Sequence, residues 1–297
     1  MTDATTDSAM TAATPAKVET PFQRFRAEFF ESKIATVALC VFLIIVLLAI
    51  LAPWITPQNP YDLAQVTIMD GRLPPGSEAF DGYTMWLGSD GAGRDLYSAI
   101  LYGLRISLTV GLASGVIALI IGMAVGLIAA YAGGRIEALI MRIVDLQLSF
   151  PASLVALMMV AALGKGVDKI ILALVIAQWA YYARTVRATA LVERGKEYVE
   201  AAQCLGISRS RIVFCHILPN CMAPLIVVGT VQTASAISLE ATLSFLGVGL
   251  SQTEPSIGVL IANGFEYMLS GRYWISVFPG VALDRKSTRL NSSHSSV

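Results

Sequence analysis

Long stretches of this sequence contain no Asp, Glu, Lys or Arg, and they limit the possible folds more than any other feature. They include residues 34–61, 106–134 and 146–164. Each can hold roughly 20 apolar residues, enough for a helix to cross a hydrocarbon layer about 30 Å thick. Because lipid offers the backbone no hydrogen-bond partners, segments that cross it should be helices. The sequence therefore predicts an all-α, polytopic transmembrane helical bundle.

The composition supports this class and argues against others. The chain is 55% hydrophobic and 14% charged, whereas a soluble domain carries about 25% charged residues. The formal net charge is zero, which gives no indication of a nucleic-acid partner. The four cysteines form no Cys-x-x-Cys pair, so we expect neither a metal site nor a disulfide framework.

The apolar stretches predict five complete membrane spans, separated by polar segments. The predicted spans are residues 34–55, 104–131, 146–163, 170–183 and 221–245. Residues 1–33 are predicted to be a polar tail and residues 56–103 an extramembrane segment, with the core at 104–283. The first span is predicted to be a permanent anchor. A cleavable signal peptide is the alternative, but the tail lacks a signal peptide's basic start and cleavage site.

A sixth apolar stretch, residues 273–283, is shorter than a membrane span. It runs for about 11 residues, where a span needs roughly 20. The segment that follows, residues 284–297, is polar and basic and shows no helical periodicity. We hypothesise that this tail is foreign to the fold, through a truncation or a sequence-assembly error.

The distribution of Lys and Arg predicts the orientation in the membrane. Twelve lie in the N-terminal tail, the turn at 131–145 and the polar island at 184–220, against six in the predicted loops of the other side, 56–105, 164–169 and 251–272. Cytoplasmic loops carry the excess of basic residues. The N-terminus and the polar island are therefore predicted to be cytoplasmic.

Four glycines in the second predicted span form two small-xxx-small pairs on one face. They are Gly111, Gly115, Gly122 and Gly126. Small residues at this spacing allow another membrane helix to approach closely. We interpret them as helix-packing positions, although glycine is also common in membrane helices without such a role.

Acidic residues at two places in the chain have alternative interpretations. Glu240 lies well inside the fifth span, where a carboxylate is costly and invites a functional role. It could equally be hydrogen-bonded to another helix near the outer interface, and both readings stay open. Asp90 and Asp95 could bind a cation, but we favour a role in fixing a turn and capping the helix that starts near Arg94.

The polar island contains an unusual arrangement of small residues, glycine and proline. It reads E-A-A-x3-G, with Leu-Pro twelve and thirteen residues after the glycine: Glu200, Ala201, Ala202, Gly206, Leu218 and Pro219. The alanines expose little side chain, so a groove on another protein could close on the helix backbone. Gly206 can adopt positive φ and turn one helix into the next. Pro219 suits the first turn of the fifth span.

These residues carry a resemblance to a known family. EYVEAAQCLGISRSRIVFCHILPN (residues 197–220) resembles the EAA loop of binding-protein-dependent ABC importer permeases. WLGSDGAGRDLYSAILYGLRISL (86–108) is similar to the C-type permease subunit of dipeptide, oligopeptide and nickel importers. Two further segments, LSFPASLVALMMVAALG (148–164) and LEATLSFLGVGL (239–250), fit the same subunit. The resemblance covers about residues 20 to 283.

The resemblance implies a type I permease fold with about six spans in a bacterial inner membrane. It implies a heterodimeric channel for peptides or related small solutes, made with a homologous second permease. Two cytoplasmic ATPase subunits would dock on the six EAA-loop residues named above, and an extracytoplasmic solute-binding protein would deliver the solute. The chain contains no G-x-x-x-x-G-K-[ST] motif. We therefore expect a transport subunit and no enzyme, with ATP and Mg²⁺ bound by its partners.

Two other functions are considered. An ion-gradient-driven secondary transporter would need ionisable groups near the membrane midplane, and the spans offer little beyond Glu240. A non-transporting membrane scaffold would not need the EAA-like loop. Uptake that survives ATP depletion but collapses with an uncoupler would distinguish the first alternative from an ATP-driven importer.

Overall fold

The computed structural model describes residues 33–62, 64–251, 254, 256–268 and 270–291, with the backbone alone at 34, 35 and 284–291. Apart from Lys33, the predicted N-terminal tail lies outside the described residues, and so does the end of the predicted foreign segment. Within the part that is described, the chain forms ten α-helices and one two-stranded hairpin. The predicted all-α class is therefore confirmed.

The elements follow one another in a simple order. The helices are α1 (Lys33–Ile55), α2 (Leu96–Ala132), α3 (Gly134–Leu148), α4 (Ala152–Leu163), α5 (Val167–Arg194), α6 (Glu197–Cys204), α7 (Arg209–Ile212), α8 (Leu218–Phe245), α9 (Ile257–Met268) and α10 (Trp274–Asn291). A 3-10 turn (Ile68–Asp70) and the antiparallel strands β1 (Ser77–Glu78) and β2 (Thr84–Met85) lie between α1 and α2. A π-helical turn (Val213–Ile217) joins α7 to α8.

Three helical segments among the described residues are long and apolar enough to cross a membrane. They are Thr36–Ile55, Leu96–Ala132 and Arg209–Phe245. The pair α3 and α4 meets the same criterion only together, and it bends by 88° at the break between them. The predicted third span, 146–163, is therefore two helix segments, because Pro151 interrupts the helical hydrogen bonds where α4 begins.

The predicted fourth span, 170–183, lies in the first part of α5, which packs against α2, α4 and α8. Ile170, Leu174 and Tyr182 are fully buried there. Only 14 residues separate Lys169 from Arg184, fewer than the roughly 20 that a lipid-exposed span requires. Neighbouring helices shield α5, so its apolar stretch need not cover the full hydrocarbon thickness.

α2 begins at Leu96, close to the helix start predicted near Arg94 and inside the segment predicted to be extramembrane, 56–103. The Asp95 carboxylate accepts hydrogen bonds from the Ser98 backbone N–H (2.9 Å) and the Ser98 hydroxyl (2.6 Å), which caps the helix. The predicted capping role of Asp95 is confirmed. The predicted second span, 104–131, lies inside this helix, which extends from the apolar stretch past Arg105 back to Leu96.

Several predicted turns and loops prove to be helical. The turn expected at 131–145 is mostly α3, which follows directly after Gly133 ends α2 with φ 62°. The loop expected at 164–169 gives way to α5 at Val167, and the loop expected at 251–272 contains α9. The α10 backbone stays helical to Asn291, although the stretch after Leu283 shows no helical periodicity. The charge pattern does not predict α3 and α9, because α3 contains four charged residues and α9 has only 12 residues.

Candidate functional site

The motif of the polar island lies on α6, an eight-residue helix between the ends of α5 and α7. The helix stops at a tight turn in which the Gly206 N–H donates to the Gln203 carbonyl (3.0 Å) and the Ile207 N–H to the Ala202 carbonyl (3.2 Å). Gly206 has φ 70°, a conformation that costs other residues roughly 1–2 kcal/mol. The short helix and its glycine turn are as the sequence predicts.

The inner face of α6 packs into the bundle. Val199 and Ala202 are buried in a cluster that includes Ile212, Ile217 and Leu225. Ala202 therefore faces the core, although the motif predicts that both alanines are accessible to a partner. It packs within this buried cluster, so its contribution is to packing within the chain.

The outer face of α6 is open. Glu200, Ala201 and Gly206 are exposed. Leu205, beside the glycine turn, is 80% exposed, a high value for a large apolar side chain. This face, which we call the α6 outer face (Glu200, Ala201, Leu205 and Gly206), combines a carboxylate with small and apolar side chains. Leu205 was not predicted, because nothing in the sequence indicates which side of a short helix is covered.

The Leu-Pro pair lies apart from this face, in the first turn of α8. Leu218 is half-buried and Pro219 is exposed. The sequence predicts a fifth span that starts at residue 221, but the helix is continuous from Arg209 to Phe245. The widened hydrogen bond from Leu218 N–H to the Val213 carbonyl forms the π-helical turn, and such turns accommodate local interruptions of a helix.

A polar network fixes α6 to its two neighbouring long helices. The Tyr198 hydroxyl on α6 donates to Glu193 Oε2 at the end of α5 (2.6 Å). It also accepts a hydrogen bond from Asn220 Nδ2 at the start of α8 (3.1 Å). Lys196 Nζ donates to the other oxygen of Glu193 (2.6 Å), and the Asn220 amide also donates to the His216 carbonyl (2.7 Å). We call Glu193, Tyr198 and Asn220 the α6 anchor.

The electrostatics of the α6 anchor fit this direction of hydrogen bonding. Hydrogen bonds from Lys196 and Tyr198 lower the pKa of the Glu193 carboxyl group. Burial, followed by the neighbouring Glu193 carboxylate, raises the pKa of Tyr198 to about 12. At neutral pH the Tyr198 hydroxyl is therefore protonated, and it donates to an ionised acceptor. Bonds of this charge-assisted type are stronger than those between neutral groups.

The end of α5 is also tied to α2. Arg194 Nη1 donates to the Ala130 carbonyl (3.1 Å), and the guanidinium lies over the Tyr131 ring, 5.8 Å from its centroid. Glu193 and Arg194 are consecutive residues. The same turn of α5 therefore contacts α2 on one side and α6 on the other.

Glu240 is fully buried inside the bundle. The Ser107 hydroxyl on α2 donates to its Oε2 (2.7 Å), and the Ser244 hydroxyl, one turn along α8, donates to its Oε1 (2.9 Å). Of the two readings left open by the sequence, the structure supports the hydrogen bond to another helix. Nearby in the bundle, Gln178 Nε2 on α5 donates to the Gln232 carbonyl on α8 (3.0 Å).

The four glycines of α2 face two different helices. Cβ atoms added at Gly111 and Gly115 would lie within 3 Å of Ile237 and Thr233 on α8. Cβ atoms at Gly122 and Gly126 would lie within 3 Å of the α5 backbone, at Trp179 and Ala183. The first pair therefore permits close approach of α8 and the second pair close approach of α5.

Comparison with known proteins finds two family models that match the chain. Residues 118–283 match the model described as binding-protein-dependent transport system inner membrane component. Residues 20–75 match the model of the N-terminal TM domain of oligopeptide transport permease C.

Curated relatives match over most of their length. A putative peptide transport system permease protein of Brucella suis is 42% identical over 86% of this chain and 82% of the relative. A di/tripeptide transport system permease protein of Pseudomonas aeruginosa is 37% identical over 89% of this chain and 86% of the relative. A dipeptide transport system permease protein of Escherichia coli is 37% identical over 89% of this chain and 87% of the relative.

A solved structure shares the fold. The chain is similar to a structure of the inward-facing MetNI methionine ABC transporter, with a TM-score of 0.55 and 19% sequence identity. The match covers 67% of this chain and 94% of the other. At this identity the likeness concerns the fold alone.

Proposed function

Since this chain belongs to the family of binding-protein-dependent transport system inner membrane components, we propose that it is the permease subunit of an ATP-driven importer for peptides or related small solutes. A second, homologous permease completes the channel in the bacterial inner membrane. Two cytoplasmic ATPase subunits bind ATP and Mg²⁺, and an extracytoplasmic solute-binding protein delivers the solute. The N-terminus and α6 are on the cytoplasmic side. The printed names of the relatives support the peptide class of solute.

The observation that carries the proposal is the α6 outer face. An apolar side chain that is 80% exposed, beside a glycine turn and outside the helical bundle, is a suitable contact for a partner protein. The helix has only eight residues, too few to be stable in water without packing against other elements. Its inner face supplies that packing within the chain, which leaves the outer face free for an ATPase subunit.

The mechanism that follows is alternating access. ATP binding closes the two ATPase subunits on each other, and α6 moves with the subunit in which it is seated. The contacts of α6 with α5 and α8 pass this displacement to the bundle, which changes from inward-open to outward-open. The solute can shift this equilibrium only by its difference in affinity for the two states.

The residues at the docking surface can be tested by substitution. Leu205→Asp places a charge where an apolar contact is proposed, so it should abolish co-purification of the ATPase subunits and ATP-dependent peptide uptake. Ile68→Asp is the matched control, because Ile68 is 85% exposed in the segment between α1 and α2, away from α6.

A bulky residue at Gly206 should also block uptake without preventing membrane insertion. The same change at Ala202 would disturb the buried core before it affected docking, so it does not test the docking surface.

The outcome decides between the functions considered. Normal uptake and normal ATPase coupling in Leu205→Asp would contradict docking at the α6 outer face. Peptide uptake by the wild-type complex that survives ATP depletion but collapses with an uncoupler would contradict the importer and support the secondary transporter. That alternative is not favoured, because the buried carboxyl group of Glu240 is bound by two serine hydroxyls within the bundle.

A further inference from the structure

The α6 anchor joins three helices through a single hydroxyl group. Tyr198 is on α6, Glu193 ends α5 and Asn220 begins α8, and both hydrogen bonds meet at the Tyr198 oxygen. Apart from these polar bonds, the apolar side chains Val199 and Ala202 hold α6 against the bundle. Apolar contacts are non-directional and allow a helix to slide or roll. A hydroxyl group that donates one hydrogen bond and accepts another fixes direction as well as distance.

Each member of the junction makes a second contact. Glu193 is only 6% exposed, and Lys196 binds its second oxygen. The Tyr198 ring lies parallel to the His216 ring, with centroids 6.5 Å apart and an interplanar angle of 22°. Asn220 also binds the His216 carbonyl one turn earlier in the same helix. None of the three anchor side chains can move alone without breaking a second contact.

We propose that the Tyr198 hydroxyl is the positioning group that makes α5 and α8 move together when α6 is displaced. A push on α6 is transmitted to α5 through Glu193 and to α8 through Asn220. Arg194, next to Glu193, extends the linkage to the end of α2. The inference rests on the proposed docking of an ATPase subunit on α6. It concerns how the motion is passed on, and it adds a residue that the EAA motif does not include.

The distinguishing measurement is the number of peptides imported per ATP hydrolysed. It would be made on the complete complex of both permeases, the ATPase subunits and the solute-binding protein, reconstituted in liposomes with a dipeptide. Tyr198→Phe removes the hydroxyl and keeps the ring that stacks on His216. We expect normal assembly and ATP hydrolysis, but a roughly fivefold lower ratio, which corresponds to the loss of one net hydrogen bond.

A matched control and a second variant make the result specific. Tyr131→Phe removes a hydroxyl that makes no hydrogen bond within the described residues and keeps the ring beneath Arg194, so its ratio should equal that of wild type. Asn220→Ala removes the donor to Tyr198 at an exposed position and should also lower the ratio. Because both variants break one junction, the double variant should be little worse than Tyr198→Phe alone.

A merely structural role gives a different pattern. If the hydroxyl only stabilised the fold, Tyr198→Phe would reduce the amount of assembled complex and leave the peptides imported per ATP unchanged. An unchanged ratio in both Tyr198→Phe and Asn220→Ala, in a wild-type complex that imports peptide with ATP, would overturn this inference alone. A wild-type complex that shows no ATP-dependent uptake would overturn the proposed function together with it.

Discussion

Ser107 on α2 donates a hydrogen bond of 2.7 Å to the fully buried carboxyl group of Glu240 on α8, joining residues 133 positions apart in sequence. Ser244 binds the other oxygen from within α8. A carboxyl group inside a helical bundle is tolerated when each oxygen has a partner. The pair therefore fixes α8 relative to α2 at a point where packing alone would leave freedom to rotate.

Ser107→Ala should destabilise the bundle through this contact. It leaves Glu240 Oε2 without the Ser107 hydroxyl, and an unsatisfied buried acceptor costs about 1 to 3 kcal/mol. The midpoint of thermal unfolding in detergent measures the effect. Ser114→Ala is the control, since Ser114 is equally buried on α2 but its hydroxyl binds only the Gly111 carbonyl of its own helix (3.2 Å). Equal melting temperatures for the two variants would contradict the role assigned to Ser107.

Gly122→Ala should disrupt the packing of α2 against α5. The added Cβ would lie 2.5 Å from both the Trp179 carbonyl oxygen and the Tyr182 Cβ, and neither atom can move without shifting the α5 backbone. Overpacking of this kind costs about 1 to 3 kcal/mol or more. We expect a large loss of folded protein, measured as the monodisperse fraction after purification.

Gly229→Ala is the matched control for Gly122→Ala. Gly229 is also in a membrane helix, α8, and a Cβ there would meet no atom within 4 Å. Alanine favours the helix by up to about 1 kcal/mol over glycine, so this variant should fold as well as wild type or better. Equal losses in both variants would show that the close approach at Gly122 is not what requires glycine.

The two ion pairs between α3 and α5 should differ in strength. Arg187 donates through both Nε and Nη2 to Glu137 Oε1, and the side chains are 34% and 19% exposed. Arg184 contacts Asp145 with side chains that are 52% and 58% exposed. Exposed pairs contribute only about 0 to 1 kcal/mol.

Double-mutant cycles with Glu137→Gln and Arg187→Met, and with Asp145→Asn and Arg184→Met, test this difference. The coupling energy of the first cycle should exceed that of the second, and it should decrease less when the salt concentration is raised. A larger coupling energy for Asp145 and Arg184 would indicate that burial by the surrounding helices does not determine the strength of these ion pairs.

The membrane class and the family could be inferred from the sequence alone, and the comparisons confirm both. Charged residues are costly in lipid, so charge-free stretches indicate spans whatever the tertiary structure. The helical segments α3 and α9 are not predicted by the sequence. Because α3 contains four charged residues and α9 has only 12 residues, neither forms a charge-free stretch long enough for a span.

The face that each residue of a short helix presents was decided by the tertiary structure. Ala201 and Ala202 are adjacent and chemically identical, yet Ala202 packs beneath α6 while Ala201 is exposed. The hydrogen bond between Tyr198 and Asn220 joins residues 22 positions apart, and the bond between Ser107 and Glu240 joins residues 133 positions apart. The physical reason is that lipid selects apolar residues position by position, whereas a hydrogen bond between helices depends on how the whole bundle aligns them.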